Sequence, residues 1–209
     1  MNFDADEFLS LLRRLIRERV PIRTGMDAVI EQVSSTLPHK DWDRLRAIAW
    51  EKEVGRIAAT LVVTLVQDPA PFPIRGLWFG ICNVTYGDDP MSMDMFLGAM
   101  AECDPADDEC QWVFGKQRHF PPKGYLRSNV LAEVYAIANE EGGLGNDAEY
   151  PVCLAFAGLA VMNMTRQVWM ERVLDMKVPV GLAVGFDGGD VIRVGYWQNG
   201  ELMTPCVIS

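Results

Sequence analysis

Only two histidines occur in this chain, and the residue spacings that announce an enzyme are missing from it. No Gly-x-Ser-x-Gly places an activated serine, no Gly-Lys-Ser/Thr closes a phosphate loop, and neither a Cys-x-x-Cys pair nor an EF-hand spacing is present. Motif-borne acyl transfer, phosphate-loop nucleotide binding, structural zinc and EF-hand calcium are thereby set aside. No catalytic residue, no cofactor and no metal is assigned on this reading. Positive charge is scarce too: 19 Lys and Arg stand against 29 Asp and Glu, a formal net charge of −10. That field repels nucleic-acid phosphate and anionic lipid, and no basic patch is concentrated enough to reverse it, so neither nucleic acid nor a membrane is expected as a partner. The apolar run at residues 57–66 is about ten residues against the roughly 20 needed to cross a bilayer.

The acidic start, Met1-Asn2-Phe3-Asp4-Ala5-Asp6-Glu7, lacks the basic and apolar segments of a secretory signal. The cysteines, Cys82, Cys103, Cys110, Cys153 and Cys206, are odd in number and read as reduced thiols. A cytoplasmic location is the expectation. Cys103 and Cys110 bracket an acidic loop, and in an oxidising compartment that pair could close as a disulfide.

What is present suits a packed core: 209 residues, 49% of them hydrophobic, with six Trp and nine Phe. A single domain, 1–209, is the simplest organisation, with a helical subregion at 1–67 and an α+β core at 74–209. Asp4 with Glu7 resembles a capping box before the apolar stripe Phe8, Leu11, Leu12 and Leu15. Thr24 is placed to cap a second helix ending before Pro38, and a third pattern runs over 41–65 with Gly55 as its divider. Pro69, Pro71 and Pro73 stop helical structure and mark a boundary. Residues 74–86 read as a strand with two covered faces, 91–100 as a short helix, and 111–115 as a strand. Helices follow from Ser128 and Asp147, the second buried on most sides from 152 to 164, with a more amphipathic continuation over 165–177. The C-terminus reads as an antiparallel meander over 180–186, 191–197 and 201–207, with a primed Gly188-Gly189 turn and a second turn at Asn199-Gly200. The predicted class is α+β: N-terminal helices and a mainly antiparallel sheet, built from 74–86, the segment near Trp112 and the C-terminal meander, covered on one face by helices.

Each candidate site also has an ordinary structural reading. Residues 142–147, Gly-Gly-Leu-Gly-Asn-Asp, join a helix end to a helix start, and such amides can also cradle an anion, against the local charge of Asp147 and Glu149. His119 with Cys110 or Cys153 would make a thiol enzyme if the fold brought them together. Asp187 with Asp190, or Asp147 with Glu149, could divide acid and base roles, although turn and capping duties account for all four. Trp112, Phe114, Phe120 and Tyr125 lie among Lys116, Arg118, Lys123 and Arg127, either as packing or as an exposed partner-binding patch. The acidic residues Asp88, Asp89, Glu102, Asp104, Asp107, Asp108 and Glu109 are the candidate partner-binding set, suited to steering a basic protein by complementary charge.

In type and composition, with Gly185-Phe186-Asp187-Gly188-Gly189-Asp190 in a hairpin, the chain resembles the immunity proteins that bacteria keep beside polymorphic toxins. That resemblance implies a stoichiometric inhibitor that occludes a basic toxin domain, often a nuclease, through an acidic surface and without catalysis. It implies no functional residue. The alternatives are a carboxylate-dependent hydrolase or transferase with a cleft beside the sheet, and a non-catalytic scaffold module that binds a host-cell protein.

Overall fold

Four helices open the described chain. In α1 (Ala5–Arg17), the Asp4 carboxylate accepts the Glu7 amide at 3.0 Å, while Phe8, Leu12, Leu15 and Ile16 are buried. In α2 (Ile22–Thr36) Pro21 is the N-cap and Thr24 lies inside the first turn, because a proline at the start forfeits no helical donor. The pattern read as one helix from 41 divides into α3 (Asp41–Arg46) and α4 (Glu51–Gln67), and Gly55 stays within α4. Arg23 of α2 supports the break. Its guanidinium donates to the Arg46 carbonyl at 2.8 Å and the Ile48 carbonyl at 2.6 Å, groups the interrupted helix leaves free, and it pairs with Glu51 at 3.2 Å.

The computed structural model describes residues 4–104, 106–166, 174 and 178–204. Its strands are β1 (Gly76–Val84), β2 (Ser92–Met100), β3 (Arg118–His119), β4 (Val180–Phe186), β5 (Val191–Gln198) and β6 (Glu201–Met203), in the sheet order β3-β2-β1-β4-β5-β6. Only β1 and β4 run parallel; the other neighbours are antiparallel, and β4, β5 and β6 form the expected meander. The fold is α+β, as predicted. The expected extension of the last strand to 207, and most of the amphipathic continuation over 165–177, lie outside the described residues.

Two segments differ from expectation. Residues 92–100, read as helix, form β2, whose Met93, Met95, Leu97 and Ala99 face the helices while Asp94, Phe96, Gly98 and Met100 face the other way. Burial on both faces hides the period of two, and a sequence rich in Met carries little strand propensity. Residues 111–114 make a 3-10 turn preceded by Cys110 in the left-handed region, and the edge strand is Arg118–His119 instead, paired with Met100 and Ala99.

One sheet face is covered by helices. α5 (Asn129–Ala138) is capped by Ser128, whose hydroxyl accepts the Leu131 amide at 3.0 Å. α6 (Asn146–Met164) is buried almost all round and packs against α1, α2, α4, α5 and the sheet. A continuous core therefore runs from Phe8 in α1 through α6 to Trp197 in β5. Among the described residues no helix is long and apolar enough to cross a membrane. At the β4–β5 turn only Gly188, at φ +81°, takes the left-handed conformation, so that turn is not the primed Gly-Gly type; Asn199 and Gly200, at +52° and +80°, do form a primed turn.

These assignments make opposite demands on two helical positions. Arg23→Met is expected to lower the unfolding free energy by about 1–2 kcal/mol, because it uncovers carbonyls at the α3 end. A Cβ at Gly55 meets open space, so Gly55→Ala is expected to raise stability by about 0.5–1 kcal/mol. Urea titration measures both; a destabilised Gly55→Ala would show that Gly55 does divide the helix.

Candidate functional site

The sheet face turned away from the helices is floored by glycine. In the parallel register Gly76 lies beside Gly181 and Gly80 beside Gly185, with Trp78 and Ala183 between them. Side chains alternate across a strand, so all six point to the same, helix-free face. A Cβ at Gly76 would overlap the Trp112 ring, one at Gly181 would overlap Cys103 Sγ, and one at Gly80 would overlap the Phe96 ring. Glycine here admits close approach by large groups, and residues 101–125 supply them as a layer laid over the sheet. Trp78, Met100, Cys110, Trp112, Val113 and Ala183 form a small second core under that layer.

Beside this core lies a cleft of about 590 Å³, walled by Trp78, Phe96, Phe114, Phe120 and Tyr125, with Arg118 and Asp187 among its polar residues. Trp78 packs edge-on against Phe96 at 4.9 Å and against Phe120 at 6.2 Å between ring centroids. Three of the walls remain open to solvent: Phe114 is 50% exposed, Phe120 44% and Tyr125 45%. Large aromatics left this open on a rigid frame are a feature of binding surfaces.

The frame is held by buried polar groups. Asp94, on β2, accepts the Met95 and Ser128 amides at 2.7 and 2.8 Å and the Tyr86 hydroxyl. Glu53, on α4, holds Arg56 through both carboxylate oxygens at 2.7 and 2.9 Å and accepts the Ser128 hydroxyl at 3.3 Å. Ser128 thus ties α4, β2 and α5 together. Leu97 N–H donates to Gly124 O and Leu126 N–H to Met95 O, which lays Tyr125 along β2 beside Phe96.

Comparison of the chain with protein-family models, curated proteins and solved structures finds no match. The reading of the site therefore rests on its geometry.

The acidic residues singled out from the sequence fall in two places. Asp88 and Asp89 lie on the β1–β2 turn, beyond the Val84–Ser92 pair, whereas residues 102–109 follow the Gly76–Met100 pair at the other end of the hairpin. Eight residue steps along β1 amount to roughly 26 Å, well over a Debye length of about 8 Å at physiological salt. The set therefore makes two patches, not one. At the loop, Glu102, Asp104, Asp108 and Glu109 are exposed and Asp107 is half-buried. The loop is preformed: Asp104 Oδ1 accepts the Ala106 amide at 2.8 Å, Asp107 Oδ1 accepts the Glu109 amide at 3.0 Å, and Asp108 pairs with Arg193 of β5. Cys103 and Cys110 anchor its two ends as free thiols. Parallel pairing puts Asp187 at the same end of the sheet as Asp88 and Asp89, level with Ile81, whose carbonyl accepts the Asp187 amide at 2.9 Å.

Other candidates separate. Asp190 accepts the Tyr150 hydroxyl at 2.6 Å on the helix side while Asp187 lines the cleft, so the two carboxylates diverge. His119 shares the helix-covered face with Ala99 and meets Asp68 at 3.5 Å, whereas Cys110 lies in the layer on the opposite face and Cys153 is buried in α6. Gly145 is the N-cap of α6 and its amide donates to Ala138 O at 2.7 Å, which is the cap-to-cap joint. Among the described residues no group of His, Cys, Asp and Glu is arranged to hold a metal ion. Sequence reasoning missed Trp78, Phe96 and Asp187 as cleft walls. The available signal was Gly at alternate strand positions, a mark of close approach.

Burial is the largest cause pushing the thiols of the helix-free face up, with Asp94 and Asp187 adding to it at Cys82: Cys82 and Cys103 reach about 11 and Cys110 about 12. In the unfolded chain these thiols ionise from about pH 8.5. Their contribution to stability is therefore complete below that pH and is lost as pH rises through 11 and beyond, since the unfolded state then binds fewer protons. Melting temperature is expected to hold to about pH 8 and then fall, and to fall less steeply in the variant Cys82→Ala, Cys103→Ala, Cys110→Ala. Identical slopes would contradict this. Gly76→Val is expected to cost about 1–3 kcal/mol by displacing Trp112; an unchanged denaturation midpoint would show that the ring does not depend on the glycine floor.

Proposed function

We propose that this protein works by stoichiometric binding, as an immunity-type protein that occludes a basic protein partner such as a toxin domain. The observation that carries this reading is the aromatic cleft, held on the sheet with Asp187 at one end, together with the acidic loop at 102–109 carried by the same layer on that face. Protein interfaces concentrate their energy in a few central aromatics surrounded by a charged rim. Carboxylates around such a centre raise the rate of encounter with a cationic surface, and the aromatics set how long the complex lasts. The acidic loop is preformed by turns and by the Asp108–Arg193 pair, so little ordering cost attends binding there.

No bond needs to be made or broken for this role. A cytoplasmic setting belongs to the same proposal, in keeping with the free thiols at Cys82, Cys103, Cys110 and Cys153.

Affinity purification from the native host, followed by mass spectrometry, is expected to yield a single basic protein in equimolar complex. With that partner in hand, Asp104→Lys, Asp107→Lys, Asp108→Lys is expected to slow association about tenfold or more at low salt while leaving the denaturation midpoint within about 0.5 kcal/mol. Unchanged association kinetics would remove the loop from the binding surface. Turnover of a co-purified metabolite, with no protein partner recovered, would overturn the proposal.

A further inference from the structure

The cleft is polar in a directed way. Arg118 is on β3 at the level of Met100, its guanidinium 5.8 Å from the centre of the Phe120 ring, and Lys116 and Lys123 flank the same side in sequence. Asp187 lies diagonally across β2 and β1, at the level of Ile81. Around Asp187 the register gathers Cys82, Phe96 and Tyr125, with Asp88 and Asp89 on the adjoining turn. Facing this end are the carboxylates of Asp94 and Asp187 and the guanidinium of Arg127, which lies over the Tyr86 ring at 4.4 Å. Negative charge is in excess there, and aromatic faces are at hand. Tyr86 and Tyr125 meet edge-on at 6.4 Å, so the chain's own Arg127 already uses the chemistry available at this end.

Resting on the binding role above, we propose that the Asp187 end of the cleft seats an arginine side chain of the partner protein, its guanidinium lying on the Phe96 and Tyr125 rings and pairing with Asp187. Arginine suits the place better than lysine. Its planar, weakly hydrated head stacks on aromatic faces and forms paired hydrogen bonds with a carboxylate, whereas an ammonium is a strongly hydrated point charge. Arg118 at the opposite end repels a second cation, which fixes the direction in which a basic segment lies along the cleft.

The test uses three fluorescein-labelled peptides, Gly-Arg-Gly-Arg-Gly-Arg-Gly and its lysine and citrulline counterparts, titrated against the full chain by fluorescence anisotropy. The arginine peptide is expected to bind about tenfold more tightly than the lysine peptide, and the citrulline peptide to bind more weakly than either. Asp187→Asn and Tyr125→Leu are each expected to weaken the arginine peptide about fivefold or more, with Tyr125→Phe restoring affinity and Arg118→Gln causing no loss. Circular dichroism melts confirm that each variant folds. Equal affinity for arginine and lysine peptides, lost in Asp104→Lys, Asp107→Lys, Asp108→Lys but kept in Asp187→Asn, would overturn the cleft assignment while leaving a binding role through the acidic loop intact. Absence of binding to all three would overturn the assignment as well. The binding role itself fails separately, if the host yields no protein partner.

Discussion

Close approach of aromatic rings to bare backbone is the contact on which the helix-free side of this molecule depends. Gly76 and Gly181, and then Gly80 and Gly185, meet as neighbours across the parallel pair β1–β4; Trp112 and Phe96 occupy the space left at Gly76 and Gly80, and Cys103 that at Gly181. With side chains at Gly76 and Gly181, the layer of residues 101–125 would be lifted from the sheet. The small second core, the seat of Cys103 and Cys110, and the cleft between Trp78, Phe120 and Tyr125 would go with it. The acidic loop is presented as a shaped surface because its two ends are anchored in that core.

The other side of the sheet follows more familiar physics. α6 is buried almost all round, and α1, α2, α4 and α5 gather on it, so the sheet is held against a large apolar mass. Ser128 couples this mass to the cleft, because its hydroxyl accepts the Leu131 amide and donates to Glu53 while its own amide donates to Asp94. Asp94 in turn positions Tyr86. One side supplies stability and the other supplies surface, and the buried carboxylates of Asp94 and Glu53 are the joints between them.

Much of this was legible in the residues and some was not, for identifiable reasons. Helix starts at Asp4 and Ser128, the buried α6 and the C-terminal meander follow from local patterns that packing did not override. β2 was hidden because both its faces are covered and its residues carry little strand propensity. The break between α3 and α4 was hidden because its stabilising group, Arg23, comes from another helix. The candidate acidic residues could be named, but their division into two patches depends on hairpin register, and the arrival of Asp187 at the end of the sheet that carries Asp88 and Asp89 depends on a parallel pairing between segments about a hundred residues apart. Local patterns carry no information about such pairings. The histidines illustrate the same limit, since the sheet itself separates His119 from Cys110.

The central claim is that the glycine-floored, helix-free face is where this protein meets its partner. Hydrogen–deuterium exchange of the chain, alone and in complex with the basic protein that co-purifies with it, tests this most directly. Slowed exchange is expected in residues 94–125 and 186–190, with α1, α2 and α4 unchanged. Protection confined to those helices, with the cleft and the acidic loop exchanging as in the free protein, would contradict the account.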